Sequence, residues 1–309
     1  MISIIMPSYG HARFVGAAVR SVLAQTFTDW ELVIVDDCSP DQSLSVLREF
    51  DDPRIRLSVN ERNLGAYATE QRALEMTRHD LVAVLNSDDL WSPEKLAVQA
   101  AALQEHPAAS FCFVRGWVVD GDGKVDEADD VHGDWPVGLA DYRPWLVVEN
   151  RILASGVVFR RAGLRFATNA HYSGDWMALL EASNRGPGIG VADRLTQWRI
   201  HGSNSFTRSP KQVAEEIAVR EAIRARDWPA DCRAGLGRNA LNLFTLYLQT
   251  GQRARALALA TQVVRTYPEK AVALRRVLLG FMPQSVLQKR LPWTDSLANL
   301  PAAGPFTIN

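Results

Sequence analysis

Apolar residues dominate five short stretches near the start of the chain: Ile2–Met6, Glu31–Val35, Ile55–Val59, Leu81–Leu85 and Ser110–Val119. Most are nearly continuous, which predicts strands covered on both faces. Between them the period lengthens. Phe14, Ala18 and Val22 fall at i, i+4 and i+8, with Val15 and Val19 beside them, and so predict one apolar helix face. Residues 41–50, 66–78 and 93–106 read as further helices. Ser92-Pro93-Glu94 offers an N-cap with proline at the first helical position. Strand–helix–strand alternation implies parallel pairing through right-handed crossovers. The expected fold class is therefore α/β, an open, mostly parallel sheet flanked by helices. Ligands of such sheets sit outside the carboxyl ends of the strands.

Further along, residues 120–140 are polar and rich in Asp and Gly, which predicts a hairpin tip or mobile loop. A helix is expected near 141–149, a strand at Gly156–Arg160, a helix at 174–184 and a strand near Thr196–Ile200. After Asn204 the β-rich runs stop, and 211–226, 236–250, 252–267 and 269–280 all read as helical. The expected seam lies near 205–210. It separates an α/β domain, 1–207, from a helical extension, 208–309, whose tail from Pro283 is irregular. The extension has the spacing of one tetratricopeptide-like hairpin. Arg275, Arg276, Lys289 and Arg290 interleave there with Leu278, Leu279, Phe281, Met282, Leu287 and Trp293. Two readings stay open: a helical cap, or a patch for peripheral contact with a membrane.

Composition narrows the class. The chain of 309 residues carries 34 Lys+Arg against 35 Asp+Glu, a net charge of −1 that argues against a polybasic nucleic-acid binder. Three scattered cysteines, Cys38, Cys112 and Cys232, form no CxxC pair, so a disulfide scaffold or zinc site is not expected. The N-terminus lacks the pattern of a signal peptide, and no run approaches the roughly 20 apolar residues of a membrane span. The expected place is the cytoplasm, with peripheral attachment at the inner face of a membrane left open.

Candidate chemistry sits at strand ends. Asp36-Asp37 follows the second strand, and Asn86-Ser87-Asp88-Asp89 follows the fourth. Acidic pairs there can hold Mg²⁺ or Mn²⁺ through oxygen, or hydrogen-bond a ribose or base edge. With 21 aspartates in the chain, about one or two Asp-Asp pairs arise by chance. Four occur, and Asp51-Asp52 and Asp129-Asp130 read as a turn and a solvated loop. The loop after strand one, Pro7-Ser8-Tyr9-Gly10, faces the same edge. Tyr9 either stacks on a base or is a buried turn residue. No GxGxxG and no GxxxxGK[ST] is present, which counts against dinucleotide dehydrogenases and P-loop NTPases.

Five segments occur in a telling order: Ile4-Ile5-Met6-Pro7-Ser8-Tyr9, Ser21 to Phe27, Glu31 to Ser39, Asn63-Leu64-Gly65, and Asn86-Ser87-Asp88-Asp89. Together they closely resemble glycosyltransferase family 2, inverting enzymes of the GT-A fold, across about residues 1–205. The resemblance implies a nucleotide-sugar donor, a UDP-sugar above all, and a glycan or lipid-linked acceptor. Pro7, Ser8 and Tyr9 would then pack against base and ribose. Asp37 would accept from the base, Asp36 would be structural, and Asn63 and Gly65 would border the nucleotide. In the DxD-type motif Asp89 would be a metal ligand, Asp88 would lie nearer the ribose with a share in the metal, and Ser87, standing where a carboxylate is usual, would border the nucleotide sugar with them. The cation would be Mn²⁺ or Mg²⁺.

Asp175 is either a helix N-cap or, by the resemblance, the catalytic base, although Gly174 replaces the usual Glu before it. Arg199-Ile200-His201-Gly202-Ser203-Asn204 resembles a family segment in which His201 would reach the metal or diphosphate and Arg199 would neutralise phosphate. A purely structural His201 is the competing reading. Gly10 stands where Asn is common, and Glu70-Gln71 where Arg-Asn is common. Rival functions are a sugar-phosphate nucleotidyltransferase, whose glycine-rich basic loop is missing, a methyltransferase, and a degenerate transferase fold serving as a binding scaffold.

Overall fold

The computed structural model describes residues 1–126, 131–202 and 209–282, together with Phe306. Asp129-Asp130, Ser203, Asn204 and the tail from Pro283, with Leu287, Lys289, Arg290 and Trp293, lie outside the described residues. By compactness the chain forms two units. The first holds Met1–Tyr142, Arg151–Asn169 and Glu181–Asn204; the second holds Arg143–Asn150, Ala170–Leu180 and the chain from Ser205 on.

The first unit carries a sheet of ten strands among the described residues. In chain order its elements are β1 (Ile2–Ser8), α1 (Val15–Leu23), β2 (Trp30–Asp36), α2 (Ser43–Leu47), β3 (Ile55–Val59), α3 (Ala66–Glu75) and β4 (Leu81–Val84). Then follow β5 (Leu90–Trp91), α4 (Lys95–Glu105), β6 (Phe111–Val119), β7 (Val125–Asp126) and β8 (Gly138–Ala140). In the second unit the four residues Arg143–Leu146 make a single helical turn, α5, shorter than the helix expected near 141–149. The first unit continues with β9 (Val157–Arg160) and β10 (Gly188–Arg199); between them in the chain, α6 (Gly174–Arg185) starts in the second unit and ends in the first.

The strand order is β3-β2-β1-β4-β9-β6-β10-β5, with β7 on β6 and β8 on β10. From β3 to β4 every pairing is parallel. Beyond β4 the sheet is mixed: β9 runs antiparallel to both β4 and β6, while β6 and β10 are parallel. The register places the chemistry. Ser8 lies opposite Asp36, so β1 and β2 finish level. Ile5 pairs with Val84, so the chain from Leu85 to Asp89 leaves β4 at the height of Met6–Ser8.

Periodicity explains the packing. α1 buries Val15, Ala18, Val19 and Val22 against Ile2, Ile4, Leu32 and Ile34 of the sheet. Each such aliphatic side chain is worth roughly 1.5–3 kcal/mol of burial. The 120–140 region is only partly the polar loop expected. Asp120 Oδ1 accepts from the N–H groups of Asp122 and Lys124 and closes the β6–β7 hairpin. His132 and Trp135, however, are buried, and His132 Nε2 accepts from the Gly116 N–H at 3.0 Å. Ser92 does not cap α4 through its side chain; the helix opens at Lys95, whose N–H donates to the Ser92 carbonyl.

Lys95 is fully buried. Its Nζ donates to Gln99 Oε1 at 2.8 Å and lies 3.9 Å from the centre of the Trp91 ring. Burial pushes its pKa down to about 7. The unfolded chain keeps this proton to the ordinary lysine range, so between the two values the unfolded state binds more protons. Stability should therefore rise with pH from about 7 towards 10, by at most about 4 kcal/mol at 1.36 kcal/mol per pKa unit. Lys95→Met should be more stable than wild type at pH 7 and lose most of that rise, as measured by urea unfolding at several pH values.

The second unit also contains α7 (Pro210–Arg224), α8 (Arg233–Gln249), α9 (Arg253–Thr266) and α10 (Lys270–Leu279). Their shared core contains Val213, Ile217, Leu243, Phe244, Val263 and Val277. Ser209 Oγ accepts from the Gln212 N–H and caps α7, with Pro210 at its first position. Gly237 lets α8 approach α9: a Cβ there would lie 2.4 Å from the Thr266 carbonyl oxygen. Among the described residues no helix is long and apolar enough to cross a membrane.

Candidate active site

At the end of β2 two adjacent carboxylates do different work. Asp36 is buried and folds back on its own turn, accepting from Ser39 N–H at 2.9 Å and Ser39 Oγ at 2.7 Å. Asp37 reaches across instead. Its Oδ1 accepts from Asn60 Nδ2 at 2.7 Å and Leu64 N–H at 2.8 Å, and its Oδ2 from Gly65 N–H at 2.9 Å. One buried carboxylate thus fixes the Asn63–Gly65 loop. Gly65 opens α3 with a φ of 91°, a conformation that favours glycine, and Asn63 Oδ1 accepts from the same Gly65 N–H. At the end of β1 Pro7 is half-buried, whereas Tyr9 is 46% exposed, so the buried-tyrosine alternative does not hold. Ser8 is buried, and its Oγ has no hydrogen-bond partner among the described residues.

The turn after β4 separates its carboxylates in the same manner. The Asp89 N–H donates to the Asn86 carbonyl, closing a tight turn. Asp89 points inward: its Oδ2 accepts from Ser155 Oγ at 2.5 Å and from Asn86 Nδ2 at 3.4 Å, its Oδ1 from the Arg199 N–H at 3.0 Å. Burial, then the charge of Asp88, pushes its pKa up to about 8 against these hydrogen bonds. Asp88 points the other way, and its Oδ2 lies 3.1 Å from His201 Nε2. His11 joins them: its Nε2 is 3.9 Å from the same Asp88 oxygen, and its Nδ1 is 2.8 Å from Ser87 Oγ. Burial lowers the His11 pKa, and Asp88 opposes that shift. One ligand atom from each of His11, Asp88 and His201 lies within 4.8 Å of the others. Two imidazoles and a carboxylate form a donor set that fits a divalent cation such as Mn²⁺.

The structure therefore brings Asp88, His201 and Ser87 together, and does not bring Asp89 to the imidazoles. Arg199 donates to three backbone carbonyls. Its Nε donates to the Asp88 carbonyl at 3.0 Å and its Nη1 to the carbonyls of Asp120 and Gly121. It thereby ties the β6–β7 hairpin to the Asp88 turn. The Phe14 ring lies beneath both Arg199 and His201. His11 was not singled out in the sequence; one imidazole in a glycine-containing loop carries no motif of its own.

Asp175 belongs to the second unit and stands in the first turn of α6. Its Oδ1 accepts from the Trp176 N–H at 2.8 Å, and its Oδ2 from Asn150 Nδ2 at 3.0 Å. Trp176 is buried, its Nε1 donating to the Leu146 carbonyl. The approach to α6 is held by a residue that the sequence did not mark. Glu215, buried on α7, accepts from the N–H groups of His171, Tyr172 and Ser173 at 2.8, 2.8 and 2.7 Å. Glu215→Ala would strand three donors and should cost about 2–4 kcal/mol. Denaturant unfolding would measure that loss, and Glu215→Gln should recover part of it.

Known proteins resemble this chain in sequence and in fold. Escherichia coli WfgD, a UDP-Glc:alpha-D-GlcNAc-diphosphoundecaprenol beta-1,3-glucosyltransferase, is 40% identical over 103 residues, 33% of this chain and 41% of its own. The putative teichuronic acid biosynthesis glycosyltransferase TuaG of Bacillus subtilis is 38% identical over 111 residues, 35% of this chain and 44% of its own. The chain thus spans less than half the length of these relatives. Among solved structures, S. aureus TarS 1-349 in complex with UDP-GlcNAc superposes with a TM-score of 0.66 at 18% identity, covering 96% of this chain and 89% of that one. The mannosyltransferase PcManGT of Pyrobaculum calidifontis, in complex with GDP-Man and Mn²⁺, gives 0.59 at 14% identity, covering 96% and 84%. These structural likenesses show the fold, the GT-A arrangement of an open sheet flanked by helices. Residues 3–180, more than half of the chain, match Glycosyl transferase family 2, and the chain belongs to that family.

Proposed function

We propose that this protein is an inverting, metal-dependent glycosyltransferase that moves a sugar from a UDP-sugar to a hydroxyl of a glycan or lipid-linked acceptor. The observation that carries the reading is the convergence, at one sheet edge, of the Asp37-held loop after β2 and the Asp88–His201 pair after β4. The UDP donor and lipid-linked acceptor gain support from the name of WfgD, which specifies UDP-Glc and a diphosphoundecaprenol-linked glycan for that protein.

Each residue then has a task. The exposed Tyr9 ring offers a stacking face for the base, and the unpartnered Ser8 hydroxyl a hydrogen bond. Asp37 keeps the Asn63–Gly65 loop in place beside the nucleotide and accepts from the base. Asp88 and His201 would hold Mn²⁺ or Mg²⁺. When bound, such a cation supplies Lewis-acid stabilisation of the charge that develops on the departing diphosphate. Asp175 takes the proton of the acceptor hydroxyl at a carboxylate oxygen, oriented by Asn150 and the Trp176 N–H. One displacement by that hydroxyl inverts the anomeric centre. α10 exposes Leu274 and Leu278 beside Arg275, with Phe281 exposed just past its end, an apolar and basic surface suited to peripheral contact with an anionic bilayer that carries the acceptor.

The test is consumption of a panel of nucleotide sugars, with Mn²⁺ and lipid-linked glycan acceptors, read as nucleoside diphosphate release. Transfer from one donor, with anomeric inversion in the product by NMR, is expected. Failure of every donor would favour a binding scaffold instead.

A further inference from the structure

The loop between β1 and α1 carries an imidazole that the reading above leaves without a task. The His11 N–H donates to Ser43 Oγ at 2.9 Å, and the next N–H, of Ala12, to Asp41 Oδ2 at 3.0 Å. The loop is thereby pinned to the start of α2, and the ring is half-buried rather than free to swing into solvent. Its Nδ1 contacts Ser87 Oγ at 2.8 Å, and its Nε2 faces the Asp88 oxygen that His201 also approaches. The two imidazole rings meet edge-on with centroids 5.4 Å apart, and Phe14 packs on His201 at 4.6 Å. Nitrogen and oxygen ligands about 2.1 Å from one ion stand roughly 3.0 Å apart when adjacent and roughly 4.2 Å apart when opposite. The observed separations from Asp88 Oδ2, 3.1 Å to His201 and 3.9 Å to His11, fall in that range.

Building on the transferase reading, we propose that His11 Nε2 is a third protein ligand of the divalent cation beside Asp88 and His201, and that Ser87 orients it through Nδ1. For Nε2 to bind a cation, Nδ1 must keep the ring proton and donate it, and Ser87 Oγ is the acceptor in place. Ser87, standing where the family commonly has a carboxylate, thus serves the metal from one bond further out. The site becomes two imidazoles and one carboxylate. Such a set is softer than an all-oxygen site and favours Mn²⁺ or Co²⁺ over Mg²⁺.

Calorimetric titration of Mn²⁺ into the full chain saturated with UDP tests this, with Co²⁺ absorption spectra as a second readout. His11→Ala should weaken Mn²⁺ about 10- to 100-fold and change the Co²⁺ spectrum, and Ser87→Ala should weaken it by a smaller factor. UDP affinity without metal should stay unchanged in His11→Ala. His11→Asp should shift the preference towards Mg²⁺. Wild-type Mn²⁺ affinity and an unaltered Co²⁺ spectrum in His11→Ala, with Mn²⁺ lost in Asp88→Asn, would overturn the role of His11 and leave the transferase reading standing. A wild-type chain that binds UDP without binding Mn²⁺ would overturn both the third ligand and metal dependence. A chain that binds no UDP would strike at the transferase reading itself.

Discussion

Asp175→Asn should bind UDP as the wild type does and transfer sugar about 10²- to 10⁴-fold more slowly, the range over which a positioned general base contributes. The change is nearly isosteric. An Asn carbonyl can still accept from the Trp176 N–H, now 2.8 Å from Asp175 Oδ1. The new amide would face Asn150 Nδ2, which donates at 3.0 Å, and a flip of the Asn150 amide would present its carbonyl instead. The fold is thus retained while the proton acceptor is lost. An effect confined to the transition state lowers kcat and kcat/KM together and leaves donor affinity alone. Full activity in this variant would remove Asp175 as the base and leave it a helix cap.

The second large effect separates two neighbouring carboxylates. Asp88→Asn should abolish the gain in UDP affinity that Mn²⁺ confers, a loss of at least tenfold or about 1.4 kcal/mol, and should lower transfer about 10²-fold or more. Asp89→Ala should act through the fold. It strands Ser155 Oγ and the Arg199 N–H in a buried site, at about 2–4 kcal/mol. Thermal unfolding and Mn²⁺-dependent UDP binding, measured on both variants, distinguish the roles. If Asp89→Ala alone removed the metal dependence at wild-type stability, the assignment of Asp88 would fall.

That division was hidden in the sequence for a physical reason. Both carboxylates follow the same strand, and the turn closed between Asp89 and Asn86 sends them to opposite sides. Adjacency marked the place but not the direction. The first four parallel strands and the buried face of α1 were legible because their apolar periods are long and regular. β10 was legible only at its end. Its opening contains Gly188 and Gly190, which read as turn residues but are needed for packing. A Cβ on Gly188 would lie 2.3 Å from the Phe111 ring, and one on Gly190 would lie 2.4 Å from Tyr142 Oη. Periodicity also cannot state direction, so the antiparallel insertion of β9 between β4 and β6 was not visible. Glu215 and His11 escaped because their partners are distant in the chain: Glu215 holds residues more than 40 positions away, and His11 meets Ser87 across 76. Asp37, Asn63 and Gly65 were marked by short motifs in fixed order, and the hydrogen bonds among them explain why those residue types stand there.

The proposed function requires a cation-assisted nucleotide site at the edge where β1, β2 and β4 end. Calorimetric titration of UDP into the full chain, with Mn²⁺ and again with a chelator, tests it most directly. UDP should bind at least tenfold more tightly with Mn²⁺, and that gain should vanish in Asp88→Asn. Equal affinity with and without metal, or no UDP binding at all, would contradict it.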